Sequence, residues 1–281
     1  MIPCISQATT LSTPFLADLE AYARTGWSAF EIWLTKLELA LEANPIESIR
    51  SAIDASGLTP LAAATQGGLL GSNPAERTTH RDHFLRRLDW LRALNVSTLV
   101  LVPDFTARPH EADLRHAVDS LCEAAQLASA ANVRLALECQ RAAPFCASLD
   151  TTLALVAQCD QPNLGICLDL FHYYTGPSKF EDLGYLTNHN LFHVHVSDLA
   201  GTPRELATDA DRILPGDGDF QLAPIFDHLR SIEYAGGLSV EVNAPALWQI
   251  PADRVAEVAR HALLRSLEPD RVVPRRTIGA P

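Results

Sequence analysis

The stretch VRLALECQRAAPFCASLDTTLALVAQCDQPNLGICLDL, residues 133–170, holds two short apolar runs, 133–139 and 164–170, on either side of a helical pattern at 149–159. Strand, helix and strand in this order make a βαβ unit. Both runs carry a carboxylate at their next-to-last residue, Glu138 in the first and Asp169 in the second. Similar runs recur outward in both directions, at 2–6, 29–34, 58–64, 97–103, 191–197 and 237–243. Helical patterns alternate with them near 12–25, 38–55, 75–94, 110–131, 179–187, 220–233 and 251–267. Eight strands in strict alternation with eight helices predict an α/β fold, a single closed (β/α)₈ barrel.

A chain of 281 residues fits one such barrel. The barrel is expected over 1–268, and the Pro- and Arg-rich residues 269–281 as a C-terminal tail. An open doubly wound sheet would show a glycine-rich phosphate turn after an early strand, but the first turn reads Ser6-Gln7-Ala8-Thr9. Helix starts are expected at Ser12 before Thr13-Pro14, at Asn73 before Pro74 and at Asp150 before Thr151-Thr152, each offering a side-chain acceptor to free N–H groups.

Hydrophobic residues make up 47% of the chain and charged residues 20%. No apolar run approaches the ~20 residues that span a bilayer. The first residues lack the basic, apolar and small-residue segments of a signal peptide. A soluble, cytoplasmic protein without membrane contact is expected. The six cysteines, at 4, 122, 139, 146, 159 and 167, form no C-x-x-C pair and read as small buried hydrophobes in a reducing compartment. The 22 basic and 34 acidic residues give a net charge of −12, which argues against a nucleic-acid partner.

Active sites of parallel barrels lie at the carboxyl ends of the strands. Residues terminating apolar runs are therefore the candidates, and they are Glu138, Asp169, His195 in His193-Val194-His195-Val196-Ser197-Asp198, and Glu241 in Leu238-Ser239-Val240-Glu241. Each alone has a structural explanation in a salt bridge, a cap or a satisfied core histidine. Three carboxylates and an imidazole at equivalent strand ends point instead to one divalent cation, because buried carboxylates need compensation. Such donors suit Mn²⁺ first and also accept Mg²⁺, Co²⁺ or Zn²⁺.

The ordered set Leu137-Glu138, Asp169-Leu170-Phe171-His172, His193 to Asp198, Pro215-Gly216-Asp217-Gly218-Asp219-Phe220 and Ser239-Val240-Glu241 resembles the sugar phosphate isomerase/epimerase family. These are xylose isomerase-like TIM barrels that include ketose 3-epimerases, hydroxypyruvate isomerases, inosose dehydratases and 3-dehydroshikimate dehydratases. The resemblance covers nearly the whole chain. It implies a metal held by Glu138, Asp169, His195 and Glu241, with the two glutamates also acting as acid and base. It further implies His172 and Arg212 as contacts to substrate oxygens, with Arg204 as the substitute for Arg212.

A cation chelating a carbonyl and the adjacent hydroxyl would stabilise an enediolate, so that one glutamate removes a proton and the other returns it. The expected activity is thus a divalent-metal-dependent isomerase or epimerase of a small sugar or polyhydroxy carbonyl compound. The alternative is a metal-dependent dehydratase, a lyase acting on an inosose or a 3-dehydroshikimate-like acid, for which His80, Arg77 and Arg108 could bind a carboxylate. A multi-zinc AP endonuclease would need more histidines and basic loops, and a non-catalytic barrel would not need intact ligands. A homo-oligomer stays open, by analogy with other barrels.

Around this set, Glu31 reads either as a residue orienting a ligand or as a structural hydrogen-bond partner. Trp33 reads as a pocket wall or core packing, and Gln66 to Gly71 as a mobile cover or an ordinary loop. His193 is expected to face away from His195, into the layer between barrel and helices, and is left out of the ligand set.

Overall fold

A computed structural model describes residues 1–71 and 75–268. The tail at 269–281 and the expected helix start at Asn73-Pro74 lie outside the described residues. Eight parallel strands, β1 (Ile2–Ser6), β2 (Ala29–Trp33), β3 (Thr59–Gln66), β4 (Thr98–Leu101), β5 (Arg134–Glu138), β6 (Leu164–Asp169), β7 (Leu191–Val196) and β8 (Gly237–Val240), form a closed barrel in sequence order. The closing pair β1–β8 runs from Ile2 opposite Gly237 to Ile5 opposite Val240.

The helices are α1 (Phe15–Arg24), α2 (Leu34–Ala43), α3 (Ile46–Ser56), α4 (Arg77–Ala93), α5 (Glu111–Ala130), α6 (Leu149–Cys159), α7 (Leu170–Thr175), α8 (Leu222–Ser231) and α9 (Ala252–Leu267). The helix expected at 38–55 is two, divided at Pro45, which lacks the N–H that would continue the ladder and instead caps α3. The stretch at 179–187 holds a 3₁₀ segment, Phe180–Tyr185. Helix α7 was not expected, because six residues are too few to carry a periodic signal.

Two expected caps are corrected. Pro14 precedes α1 without a side-chain cap, and the Ser12 hydroxyl donates to the Trp248 carbonyl instead. Helix α6 starts at Leu149 after Ser148, which places Asp150 inside the first turn, where its carboxylate accepts from the Thr151 N–H at 2.8 Å.

Alternation along the strands divides the core in two. Ile5, Phe30, Ile32, Leu135, Leu137, Ile166, Leu168, Val194 and Val196 belong to the large cluster packed under the helices. Each such side chain contributes on the order of 1.5–3 kcal/mol by leaving water. Ala64, Val100, Ala136, Cys167 and Phe192 form a second, smaller cluster against which Trp33 packs. Gly165 leaves room there, since a Cβ would lie 2.6 Å from the Asn190 carbonyl oxygen and 2.8 Å from the Phe192 ring. All six cysteines are free and five of them are buried. Among the described residues no helix is long and apolar enough to cross a membrane.

Candidate metal centre

Strands β5, β6, β7 and β8 are neighbours, and their pairing staggers the predicted ligands around one end of the barrel. Asp169 stands opposite His195, Glu138 opposite Cys167, and His195 opposite Ser239, two residues before Glu241. One donor atom from each of Glu138, Asp169, His195 and Glu241 lies within 4.8 Å of all the others. All four residues are buried, none more than 5% exposed.

His195 is the hub. Its Nδ1 faces Glu138 Oε1 at 2.7 Å, Glu241 Oε2 at 3.4 Å and Asp169 Oδ2 at 3.6 Å. Its Nε2 faces the two oxygens of Glu31 at 3.0 and 3.2 Å. Glu31 is fully buried and also meets His193 Nε2 at 2.5 Å and the Ser6 hydroxyl at 3.2 Å. Burial opposes a charge on Glu31, yet His195 and His193 hold its carboxyl well below the usual range. The expectation that His193 points away from His195 is corrected, because residues two apart on a strand share a face. The two rings lie edge to face, 5.2 Å apart, on the same carboxylate.

Asp169 divides its oxygens between two tasks. Oδ1 accepts from the His172 N–H at 2.8 Å and caps α7, while Oδ2 accepts from Arg212 Nη1 at 2.7 Å. Burial would raise this carboxyl, but Arg212, with His172 and His195, holds it well below the usual range. Arg212 is itself buried, lies 4.5 Å over the Phe171 ring, approaches Glu241 Oε2 at 3.4 Å and donates to Asp209 Oδ1. Its Nη2 meets His172 Nε2 at 3.3 Å, and His172 Nδ1 is buried without a hydrogen-bond partner. Burial pushes the Glu241 carboxyl up to about 8, with Glu138 and Asp169 adding to the rise and His195 and Arg212 opposing it. Three carboxylates thus crowd one imidazole and one arginine in a buried site. A divalent cation fits this oxygen-rich, single-imidazole donor set.

The site opens on a cavity of about 130 Å³ whose lining includes Trp33, Thr65, Gln140, Asp209 and Asn243. Of the sequence candidates, Trp33, Glu138, His172, His195, Arg212 and Glu241 line it, and Asp169 lies outside the lining. Arg204 does not; it is exposed and lies 3.7 Å from Glu205. Nor do Arg77, His80 or Arg108 line it. The segment after β3 is tied elsewhere: the Leu70 and Gly71 N–H groups donate to Asp104, and the Ser120 hydroxyl donates to the Leu69 carbonyl. None of residues 66–71 lines the cavity.

Thr65, Gln140 and Asn243 escaped the sequence reading, which collected charged strand ends and passed over neutral ones. Gln140 donates to Glu138 Oε2. Asp209 carries no signal of its own, since it reaches the cavity only through the fold of the segment between β7 and α8.

The model of the xylose isomerase-like TIM barrel family matches residues 19–266. The inosose isomerase of Halalkalibacterium halodurans is 27% identical over 266 residues, covering 92% of this chain and 93% of that protein. The inosose isomerase of Bacillus subtilis is 26% identical, covering 92% and 94%. Among solved structures, the IOLI protein with a binding zinc atom superposes with a TM-score of 0.89 at 24% identity, covering 95% of this chain and 98% of that one. A D-psicose 3-epimerase with D-tagatose, from Clostridium cellulolyticum, gives a TM-score of 0.74 at 19% identity, covering 95% and 100%.

Proposed function

The chain belongs to the xylose isomerase-like TIM barrel family, and from that premise we propose that it is a divalent-metal-dependent isomerase or epimerase of a small, uncharged polyhydroxy carbonyl compound. The observation that carries this reading is the convergence of Glu138, Asp169, His195 and Glu241 within 4.8 Å beside a polar cavity. These four residues would hold the ion, which when bound would supply Lewis acidity to a substrate carbonyl and its neighbouring hydroxyl. Relatives named inosose isomerases, alike over nine-tenths of both chains, put inososes first among the substrates to test. Mn²⁺ remains the first choice of metal from the oxygen-rich set, and the zinc of the IOLI structure makes Zn²⁺ the ion to test beside it.

Glu138 and Glu241 come from strands separated by two others and both line the cavity. One removes a proton from the carbon next to the carbonyl and the other returns one. Return to the opposite face of that carbon gives an epimer, and return to the neighbouring carbon gives an isomer. His172 and Arg212 bind substrate oxygens, with Trp33 as the one large apolar wall.

The cavity also bears on the lyase alternative. Arg212 is the only arginine or lysine among its described lining residues, and its guanidinium already serves Asp169 and Asp209. Beyond the ion itself, a substrate carboxylate or phosphate would find no unpaired arginine or lysine in this lining, which disfavours a 3-dehydroshikimate-like acid and leaves dehydration of an inosose as the second reading. A cytoplasmic location, favoured by six free cysteines, completes the proposal.

The test is solvent deuterium uptake by NMR into a panel of inososes, ketoses and 3-keto acids, with Mn²⁺ or Zn²⁺ added to metal-stripped protein. Metal-dependent uptake into a neutral compound is expected, abolished in both Glu138→Gln and Glu241→Gln. Exchange that persists in both variants overturns the acid/base assignment.

A further inference from the structure

Outside the four-residue set, one more donor reaches Nδ1 of the same imidazole. Cys167 Sγ lies 3.7 Å from His195 Nδ1 and 3.9 Å from Glu138 Oε1, two atoms that are themselves 2.7 Å apart. The three donor atoms, one each from Glu138, Cys167 and His195, lie within 4.8 Å of one another. A tetrahedral ion with bonds of ~2.3 Å to sulfur and ~2.0–2.1 Å to nitrogen separates those two ligand atoms by roughly 3.6 Å. The sulfur–nitrogen spacing suits two ligands sharing one ion, while the 2.7 Å between His195 Nδ1 and Glu138 Oε1 would have to open on binding.

The thiol's surroundings support the same conclusion. Cys159 Sγ donates to the carbonyls of Leu155 and Val118, and the half-buried Cys122 Sγ to that of Cys159, as thiols with a structural role do. The hydrogen-bond contacts of Cys167 are the two donor atoms of the centre, and it belongs to the apolar cluster of Ala64, Val100, Ala136 and Phe192. Oxygen-rich sets suit hard ions, whereas thiolates select soft ones.

We propose that Cys167 is a soft donor at this centre: a thiophilic divalent ion is taken by Glu138, Cys167 and His195, whereas a hard ion is taken by Glu138, Asp169, His195 and Glu241. The two sets share Glu138 and His195, so one ion excludes the other. When the sulfur coordinates, its proton leaves to the buffer. This inference rests on the metal-centre reading above.

The experiment titrates metal-stripped, full-length protein with Co²⁺, whose visible d–d absorption reports binding and whose near-ultraviolet thiolate-to-metal charge-transfer band reports sulfur. The charge-transfer band is expected in the unsubstituted protein and absent in Cys167→Ser. Cd²⁺ affinity, read by competition, should fall on the order of tenfold or more in that variant, while Mn²⁺ affinity stays within about threefold. Co²⁺ bound without a charge-transfer band, or with a band that persists in Cys167→Ser, overturns the role of Cys167 and leaves the metal centre standing. Failure to bind Co²⁺, Mn²⁺ and Cd²⁺ alike overturns the metal centre and this inference with it. Where Cys167→Ser fails to fold, Cys167→Ala provides a second variant, and an unsubstituted protein that binds Co²⁺ without the band overturns the role of Cys167 by itself.

Discussion

His195 can serve a cation through Nδ1 only if its other nitrogen is occupied. Glu31 provides for this, because a carboxylate only accepts and both Nε2 atoms facing it, of His193 and His195, must carry hydrogen. A glutamine at this position offers one acceptor where two imidazoles and a serine now donate. Glu31→Gln should therefore weaken metal binding by roughly 10- to 100-fold while the far-ultraviolet circular dichroism is unchanged; calorimetric titration measures it. An unaltered affinity would show that the strand alone orients His195. The sequence left Glu31 open between orienting a ligand and making a structural bond, and it misplaced His193. Strand periodicity, applied consistently, puts residues 193 and 195 on one face, but only the closed barrel brings β2 across to β7. The four strand-end candidates were legible for a simpler reason: each is a polar residue closing an apolar run, a local pattern that needs no knowledge of the partner strands.

At the scale of elements, strand positions were legible to within three residues at every end, since apolar runs between helical patterns are bounded by the elements on both sides. The segment between β7 and α8 was not, because it has no periodicity and is organised by one side chain. Asp198 Oδ1 accepts from the N–H groups of Leu199 and Phe220, and Oδ2 from those of Gly216 and Gly218, at 2.8 to 3.0 Å. Its own backbone exchanges two hydrogen bonds with Ile213, next to Arg212. The side chain of Asp198 thus shapes the loop that delivers Arg212 to Asp169 and Glu241. Gly218 belongs to this device, for a Cβ there would collide with the Asp198 carboxylate. In Asp198→Asn an NH₂ group faces two N–H donors, which should cost about 2 kcal/mol or more. The expected result is faster limited proteolysis within 199–219 and a kcat/KM lower by at least about tenfold, with Mn²⁺ affinity changed far less. Proteolysis and turnover that match the unsubstituted protein would remove Asp198 from this role.

Over the whole molecule, the net charge of −12 and the composition of the cavity act in the same direction. Glu138, Asp209 and Glu241 line the cavity, and the guanidinium of Arg212 is already paired. A neutral polyol approaches such a surface without electrostatic cost, whereas a sugar phosphate or a hydroxy acid is repelled both by the surface and by the mouth of the site. Ionic strength separates the two cases, because the Debye length shrinks from ~30 Å at 0.01 M to ~8 Å at 0.15 M. With metal saturating, kcat/KM for a neutral inosose or ketose should change by less than about twofold across that range. An anionic analogue should start lower and rise with salt as the repulsion is screened. A rate for the anionic compound that is highest at low salt and falls as salt is added would mean that a local positive field at the barrel mouth overrides the net charge. That outcome would reverse the assignment of an uncharged substrate and restore the acid-processing lyase as the leading reading.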